Sequence, residues 1–189
     1  MKLAFLYAGQ GTQHPGMGRD LYETYPAFRQ VLDSAQLDFD LKELCFEGPE
    51  EKLSQTQYTQ PCMVAFAAGV TAVLREKGII PEVAAGLSLG EYSALQAAGV
   101  FDSKTAVELV AFRGKAMAQA VQDRPCGMAA VLMLGREQLA ECCRQAGEAG
   151  VVEIAELQLP HPAGHRRDAA AVEKAGELAL QAGPSGWCR

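Results

Sequence analysis

Apolar and polar positions along the chain alternate between short continuous runs and longer helical spacings. LAFLYA (Leu3–Ala8) is apolar throughout and stops at the glycine-rich GQGTQ, which predicts a buried strand entering a loop. From Met17 to Asp33, residues Leu21, Tyr25, Phe28 and Leu32 fall near one helical face, and Pro26 splits this stretch into two short helices. EGPEE (Glu47–Glu51) predicts a turn, followed by a short acidic helix over about 50–55. Gln60-Pro61 reads as a break, with a long apolar helix from Pro61 to Lys77 on which Met63, Phe66, Val70 and Val73 recur. Val83–Leu87 is a second strand, Leu89–Ala98 a helix, and Ser103–Val121 another, N-capped by Asp102 or Ser103.

After the PCG break at Pro125–Gly127 the pattern becomes strand (MAAVLML), helix (REQLAECCRQAG), strand (VVEIA) and a later helix (DAAAVEKAGELALQAG). The expected organisation is an α/β main domain over residues 1–123 and a small α+β domain over 124–189.

Composition narrows the class. The chain has 189 residues, 49% apolar and 21% charged, which suits one ordinary globular domain with a small appendage. A net charge of −6 without a basic run argues against general nucleic-acid binding. No leader pattern opens the chain and no apolar run is long enough for a bilayer, so no membrane partner and a cytoplasmic location are expected. The six cysteines (Cys45, Cys62, Cys126, Cys142, Cys143, Cys188) show no CxxC spacing and read as reduced, mostly buried thiols.

The candidate chemistry lies at GLSLG (Gly86–Gly90), between an apolar strand and a helix. Gly-x-Ser-x-Gly at a strand-to-helix turn is the pattern of a nucleophile elbow, with Ser88 as the nucleophile and the Leu89 N–H aimed at a developing oxyanion. From these five residues alone, a glycine-rich turn with an incidental serine fits equally well. A serine nucleophile needs a base, and none of the three histidines is placed to serve: His14 is in the glycine-rich loop, and His161 and His165 are in a polar, proline-containing stretch.

Four segments in order, AGQGTQHPGMG (Ala8–Gly18), TQPCM (Thr59–Met63), GLSLGEYSAL (Gly86–Leu95) and FRGKAM (Phe112–Met117), closely resemble the malonyl-CoA:acyl carrier protein transacylase family of fatty-acid synthesis. The resemblance covers roughly residues 2–155. It implies an α/β-hydrolase-like main domain with a parallel sheet, and a ferredoxin-like small domain that is incomplete here. It also implies that Ser88 carries the malonyl ester, that the backbone N–H groups of Gln10 and Leu89 form the oxyanion hole, that Arg113 holds the free malonyl carboxylate, and that Gln60 lines the pocket. The chemistry agrees with this, because a carboxylate that distinguishes malonyl from acetyl suits a planar bidentate cation. The implied reaction is ping-pong transfer from malonyl-CoA to the phosphopantetheine thiol of acyl carrier protein, with no metal or redox cofactor.

Two departures qualify the resemblance. Many family members have histidine where this chain has Leu87, so altered packing beside the serine is expected. More seriously, family members are longer and carry their catalytic histidine beyond the small domain, so an inactive fragment is expected. The stretch ELQLPHPAGHRRD also stands where the family has an asparagine-rich turn and a strand. One added base before a coding stretch for NYNCPTRPVIAGD yields ELQLPHPAGHRR, and one deletion then restores the helix that follows. On this reading Glu156–Arg167 and Pro184–Arg189 are out of frame, His161 and His165 have no catalytic meaning, and the small domain loses a strand. A generic serine esterase and a non-catalytic acyl-carrier-protein binding remnant remain as alternatives.

Overall fold

A computed structural model describes residues 2–121, 126–157, 163–182 and 186–188. The chain divides into two compact units, Met1–Ala120 and Val121–Arg189.

The first unit is mostly helical around a small parallel sheet. Strand β1 (Ala4–Tyr7) pairs in parallel with β2 (Val83–Gly86), matching Ala4 to Val83 and Tyr7 to Gly86. Their alternation sets two faces. Phe5 and Tyr7 turn inward, and the Tyr7 hydroxyl shares a 2.7 Å hydrogen bond with Thr71 Oγ1. Leu6 (80% exposed) and Val83 (62%) point outward, an apolar face that no described side chain covers.

Helices α1 (Arg19–Thr24) and α2 (Pro26–Ser34) divide at Pro26, which takes the N1 position where its missing N–H removes no helical bond. Helices α3 (Leu41–Glu47) and α4 (Glu50–Leu53) lead into α5 (Thr56–Glu76), the central helix. Phe28 is fully buried at the α2–α5 contact and meets Phe66 edge to face at 5.9 Å between centroids. Gly69 makes room for it, since a Cβ there would meet the Phe28 ring at about 2.5 Å. Helices α6 (Leu89–Ala97) and α7 (Ser103–Ala120) complete the unit. Asp102 is the cap of α7, its Oδ1 accepting from the Thr105 N–H at 2.7 Å.

One expectation fails here. Pro61 lies inside α5 rather than at its start, and the helix begins at Thr56. Proline there forfeits one backbone bond to Gln57, but burial of the surrounding turns against neighbouring helices outweighs that loss. Thr59, Gln60, Pro61 and Cys62 are all buried. Periodicity sees the proline and not the packing.

The second unit has strand β3 (Cys126–Leu132), helix α8 (Arg136–Ala146), strands β4 (Val152–Leu157) and β5 (Ala163–Asp168), helix α9 (Ala169–Ala182) and strand β6 (Gly186–Cys188). The antiparallel sheet runs β4-β5-β3-β6, with a register shift between Ile154 and Glu156. Ala129, Cys143, Ala146, Val152, Ala171, Val172 and Ala175 form one cluster of its core, and Val131, Leu134, Leu139, Cys142 and Ala179 a second. The expected loss of a strand does not occur, because β5 forms within the stretch read as out of frame. A ladder needs extended backbone N–H and C=O groups, which any non-proline sequence supplies.

Cys45, Cys62, Cys142 and Cys143 are buried thiols, in line with the expectation; the side chains of Cys126 and Cys188 fall outside the described residues. Burial, with the adjacent Cys142 second, raises the Cys143 thiol to about 11. A hydrogen bond with Cys45, reinforced by burial, pushes the Cys62 thiol far above its ordinary range. Among the described residues, no helix is long and apolar enough to cross a membrane.

Candidate active site

Ser88 stands at the turn between β2 and α6, exposed, with φ 50° and ψ −103°. That backbone region is unfavourable for any residue with a Cβ, so the surrounding chain holds the serine there. The two glycines of GLSLG explain how. A Cβ on Gly86 would overlap the Gly90 carbonyl group, and a Cβ on Gly90 would overlap the Tyr7 carbonyl oxygen and come within 2.7 Å of that of Ala8. Strand, helix and neighbouring strand therefore meet backbone to backbone. The Leu87 N–H extends the sheet ladder to the Tyr7 carbonyl at 3.1 Å, just before the turn.

Leu89 is buried and opens α6, so its N–H belongs to the first turn, whose amides lack intrahelical partners. The Gly90 N–H turns back to the Leu87 carbonyl at 2.8 Å and the Glu91 N–H to that of Ser88 at 3.2 Å. The loop carrying Gln10 runs alongside, as the Cβ direction of Gly9 ends 3.1 Å from the Leu87 carbonyl oxygen. The Gln10 amide donates to Thr56 Oγ1 at 3.2 Å, tying this loop to the first turn of α5.

Arg113 and Gln60 come together across α7 and α5. Arg113 Nη1 donates to Gln60 Oε1 at 2.8 Å. Gln60 is 1% exposed, and its Nε2 contacts Met117 Sδ at 3.4 Å, which fixes the amide orientation. Gly114 permits this approach: a Cβ there would lie 2.9 Å from both Gln57 Cα and the Thr56 carbonyl oxygen. The Arg113 guanidinium also lies over the Tyr92 ring, 5.4 Å from its centroid. Tyr92 is four residues after Ser88 on α6, one turn from the serine.

All five expected site residues thus sit on the elbow or on elements bound directly to it. Tyr92, Thr56 and Met117 were not anticipated. Tyr92 lies inside GLSLGEYSAL, and the signal that could have found it is its spacing of one helical turn from Ser88. No histidine bonds to Ser88 among the described residues. His14 is exposed, and its Nδ1 lies 3.0 Å from the Pro15 carbonyl oxygen. His161 lies outside the described residues, as does the side chain of His165. A separate apolar cavity of about 350 Å³ opens beside β1 and touches Leu89 and Ser93, but Ser88, Gln60 and Arg113 do not line it.

Comparison with known proteins gives the family. Residues 4–157 match the family model for the acyl transferase domain. The malonyl CoA-acyl carrier protein transacylase of Bacillus subtilis (strain 168) is 41% identical over 185 residues, covering 96% of this chain and 58% of that protein. Its counterpart in Escherichia coli (strain K12) is 39% identical over 188 residues, with 96% and 60% covered. The malonyl CoA-acyl carrier protein transacylase structure from Coxiella burnetii matches with TM-score 0.90 at 33% identity, covering all of this chain and 61% of that one. A type II polyketide acyl carrier protein in complex with its malonyl-transacylase matches with TM-score 0.87 at 36% identity, with 97% and 60% covered. The chain spans about three fifths of the length of these relatives. With the family model matched across most of its residues, the chain belongs to the acyl transferase domain family.

Proposed function

We propose that this chain carries the nucleophile, oxyanion and carboxylate-binding elements of a malonyl-CoA:acyl carrier protein transacylase. The observation that carries this reading is the placement of Arg113. Its guanidinium is fixed by buried Gln60 and rests over Tyr92, one turn beyond Ser88. Among the described residues no carboxylate lies within salt-bridge distance of it, whereas Lys115 on the same helix pairs with Asp38 at 2.7 Å. A half-buried cation with open donors, stacked on the helix that opens at a strained, exposed serine, suits an acyl group that ends in a carboxylate.

In the first step Ser88 Oγ attacks the thioester carbonyl carbon of malonyl-CoA. The negative charge on the carbonyl oxygen is met by the backbone N–H groups of Leu89 and Gln10. The carbon–sulfur bond breaks, coenzyme A leaves as the thiol with the serine proton, and malonyl remains as an ester on Ser88. The phosphopantetheine thiol of acyl carrier protein then attacks that ester and regenerates the serine. Arg113 chelates the distal carboxylate throughout.

The finer architecture belongs to the same proposal. The βα elbow on a parallel sheet supports an α/β-hydrolase-like main domain. The strand–helix–strand–strand–helix–strand order of the second unit supports a ferredoxin-like small domain. A cytoplasmic location accompanies the proposed role in fatty-acid synthesis.

Incubation with labelled malonyl-CoA, followed by peptide mass spectrometry, tests the reading. A malonyl adduct on the peptide containing Ser88 is expected, lost in Ser88→Ala and weakened in Arg113→Ala. Ester hydrolysis indifferent to Arg113→Ala would favour a generic esterase, and acyl carrier protein binding without any adduct would favour a binding remnant. Either result overturns the proposal.

A further inference from the structure

We propose that Tyr92 is a specificity-determining positioning residue: its ring fixes the plane of the Arg113 guanidinium and so sets the preference for a carboxylate-bearing acyl group. This rests on the function proposed above.

The argument begins from the geometry of a planar cation. A guanidinium held along one edge can still swing about that contact. Here the edge is held by Gln60 Oε1 at 2.8 Å. Gln60 itself cannot follow such a swing, because it is 1% exposed and its other amide atom contacts Met117 Sδ. The Tyr92 ring supplies the second constraint, lying under the guanidinium at 5.4 Å. An edge contact and a face contact together leave one orientation, and arginine's remaining N–H groups still suffice for a bidentate carboxylate pair.

Position along the chain gives this contact its consequence. Tyr92 belongs to α6, which opens immediately after Ser88, whereas Arg113 belongs to α7 and Gln60 to α5. The ring therefore references the carboxylate-binding group to the helix that also carries the Leu89 N–H. A malonyl group has its ester carbonyl and its carboxylate a fixed short distance apart, so both ends must be met together. An acetyl group presents only the carbonyl and gains nothing from an oriented guanidinium. Loss of the ring should weaken malonyl binding and leave acetyl binding unchanged.

Tyr92→Leu and Tyr92→Phe are compared in the full chain on a Ser88→Ala background, so that no acylation occurs. Dissociation constants for malonyl-CoA and acetyl-CoA are measured by calorimetry. Losing a cation–π contact of this kind should lower the malonyl-over-acetyl preference by about 3- to 30-fold in Tyr92→Leu. Tyr92→Phe keeps the ring and should stay within about twofold of the parent, because the face and not the hydroxyl does the positioning. An unchanged preference in Tyr92→Leu overturns the proposal and leaves the transacylase reading standing. No preference in the parent overturns both.

A second measurement avoids any destabilising variant. The ring resonances of Tyr92, assigned in the ring-labelled chain by their loss in Tyr92→Phe, should move on addition of malonyl-CoA and stay fixed with acetyl-CoA. Equal movement with both thioesters, or movement with neither, overturns the proposal.

Discussion

Replacing Ser88 with glycine should stabilise the protein, and replacing it with alanine should not. The backbone of Ser88 at φ 50° and ψ −103° lies where a Cβ is penalised. Such a conformation costs about 1–3 kcal/mol in a residue other than glycine. Glycine removes that penalty but loses more backbone entropy on folding, about 0.5–1 kcal/mol. The serine side chain is exposed, so its removal forfeits little burial. The balance is a gain of about 1 kcal/mol for Ser88→Gly, roughly a fivefold change in the folding equilibrium. Ser88→Ala keeps the Cβ and its strain, and should match the parent within about 0.5 kcal/mol. All five tyrosines lie in the first unit and the single tryptophan in the second, so urea unfolding followed through the tyrosine near-ultraviolet signal reports on the relevant unit. A Ser88→Gly midpoint at or below that of Ser88→Ala would refute the strain argument.

The elbow glycines and a buried thiol give two further expectations. Gly90→Ala places a methyl against the carbonyl oxygens of Tyr7 and Ala8, which are backbone atoms that cannot rotate away. Overpacking of about 3 kcal/mol, less about 1 kcal/mol of helix propensity, leaves a loss of roughly 2 kcal/mol. Gly147→Ala has open space and a φ of −60°, so it should be neutral or slightly stabilising; equal urea midpoints for the two variants would contradict the packing account. The Cys143 thiol is raised to about 11 when folded, so the folded state keeps the proton that the unfolded chain gives up near pH 9. Its stabilising contribution is complete below about pH 9 and disappears as the pH rises through about 11. The stability gap between the parent and Cys143→Ala, read from urea melts by circular dichroism, should therefore narrow over that range. A constant gap would show that the thiol does not titrate as its burial requires.

What could be read from the chain follows the range of each interaction. The split at Pro26, the Asp102 cap and the GLSLG elbow depend on residues a few positions apart, and each lies where local pattern places it. Pro61 was misread because its tolerance inside α5 comes from long-range packing, including α7 approaching at Gly114. Strand β5 was misread because the identities of its side chains were weighed where the backbone ladder decides. At the site, Ser88 and Leu89 are singled out by the Gly-x-Ser-x-Gly spacing together with its strand-to-helix context. Arg113, Gln60 and Gln10 needed resemblance to known sequences, because nothing local distinguishes them from polar surface residues. Thr56 was missed since its partner Gln10 stands 46 residues away, a distance no periodic pattern encodes; helical spacing marks Tyr92 as a neighbour of Ser88, but its contact with Arg113, 21 residues on, is set by packing.

The backbone meeting at Gly86, Gly90, Tyr7 and Ala8 has a consequence for how such a protein changes over time. A serine located by side-chain packing would shift whenever a neighbouring core residue was exchanged. Here its address is set by main chain against main chain, so turnover around Phe28, Val64 or Val107 leaves it undisturbed. The same arrangement admits no gradual adjustment. A methyl at either glycine moves the whole turn, so exchange is penalised there and not where only side chains meet.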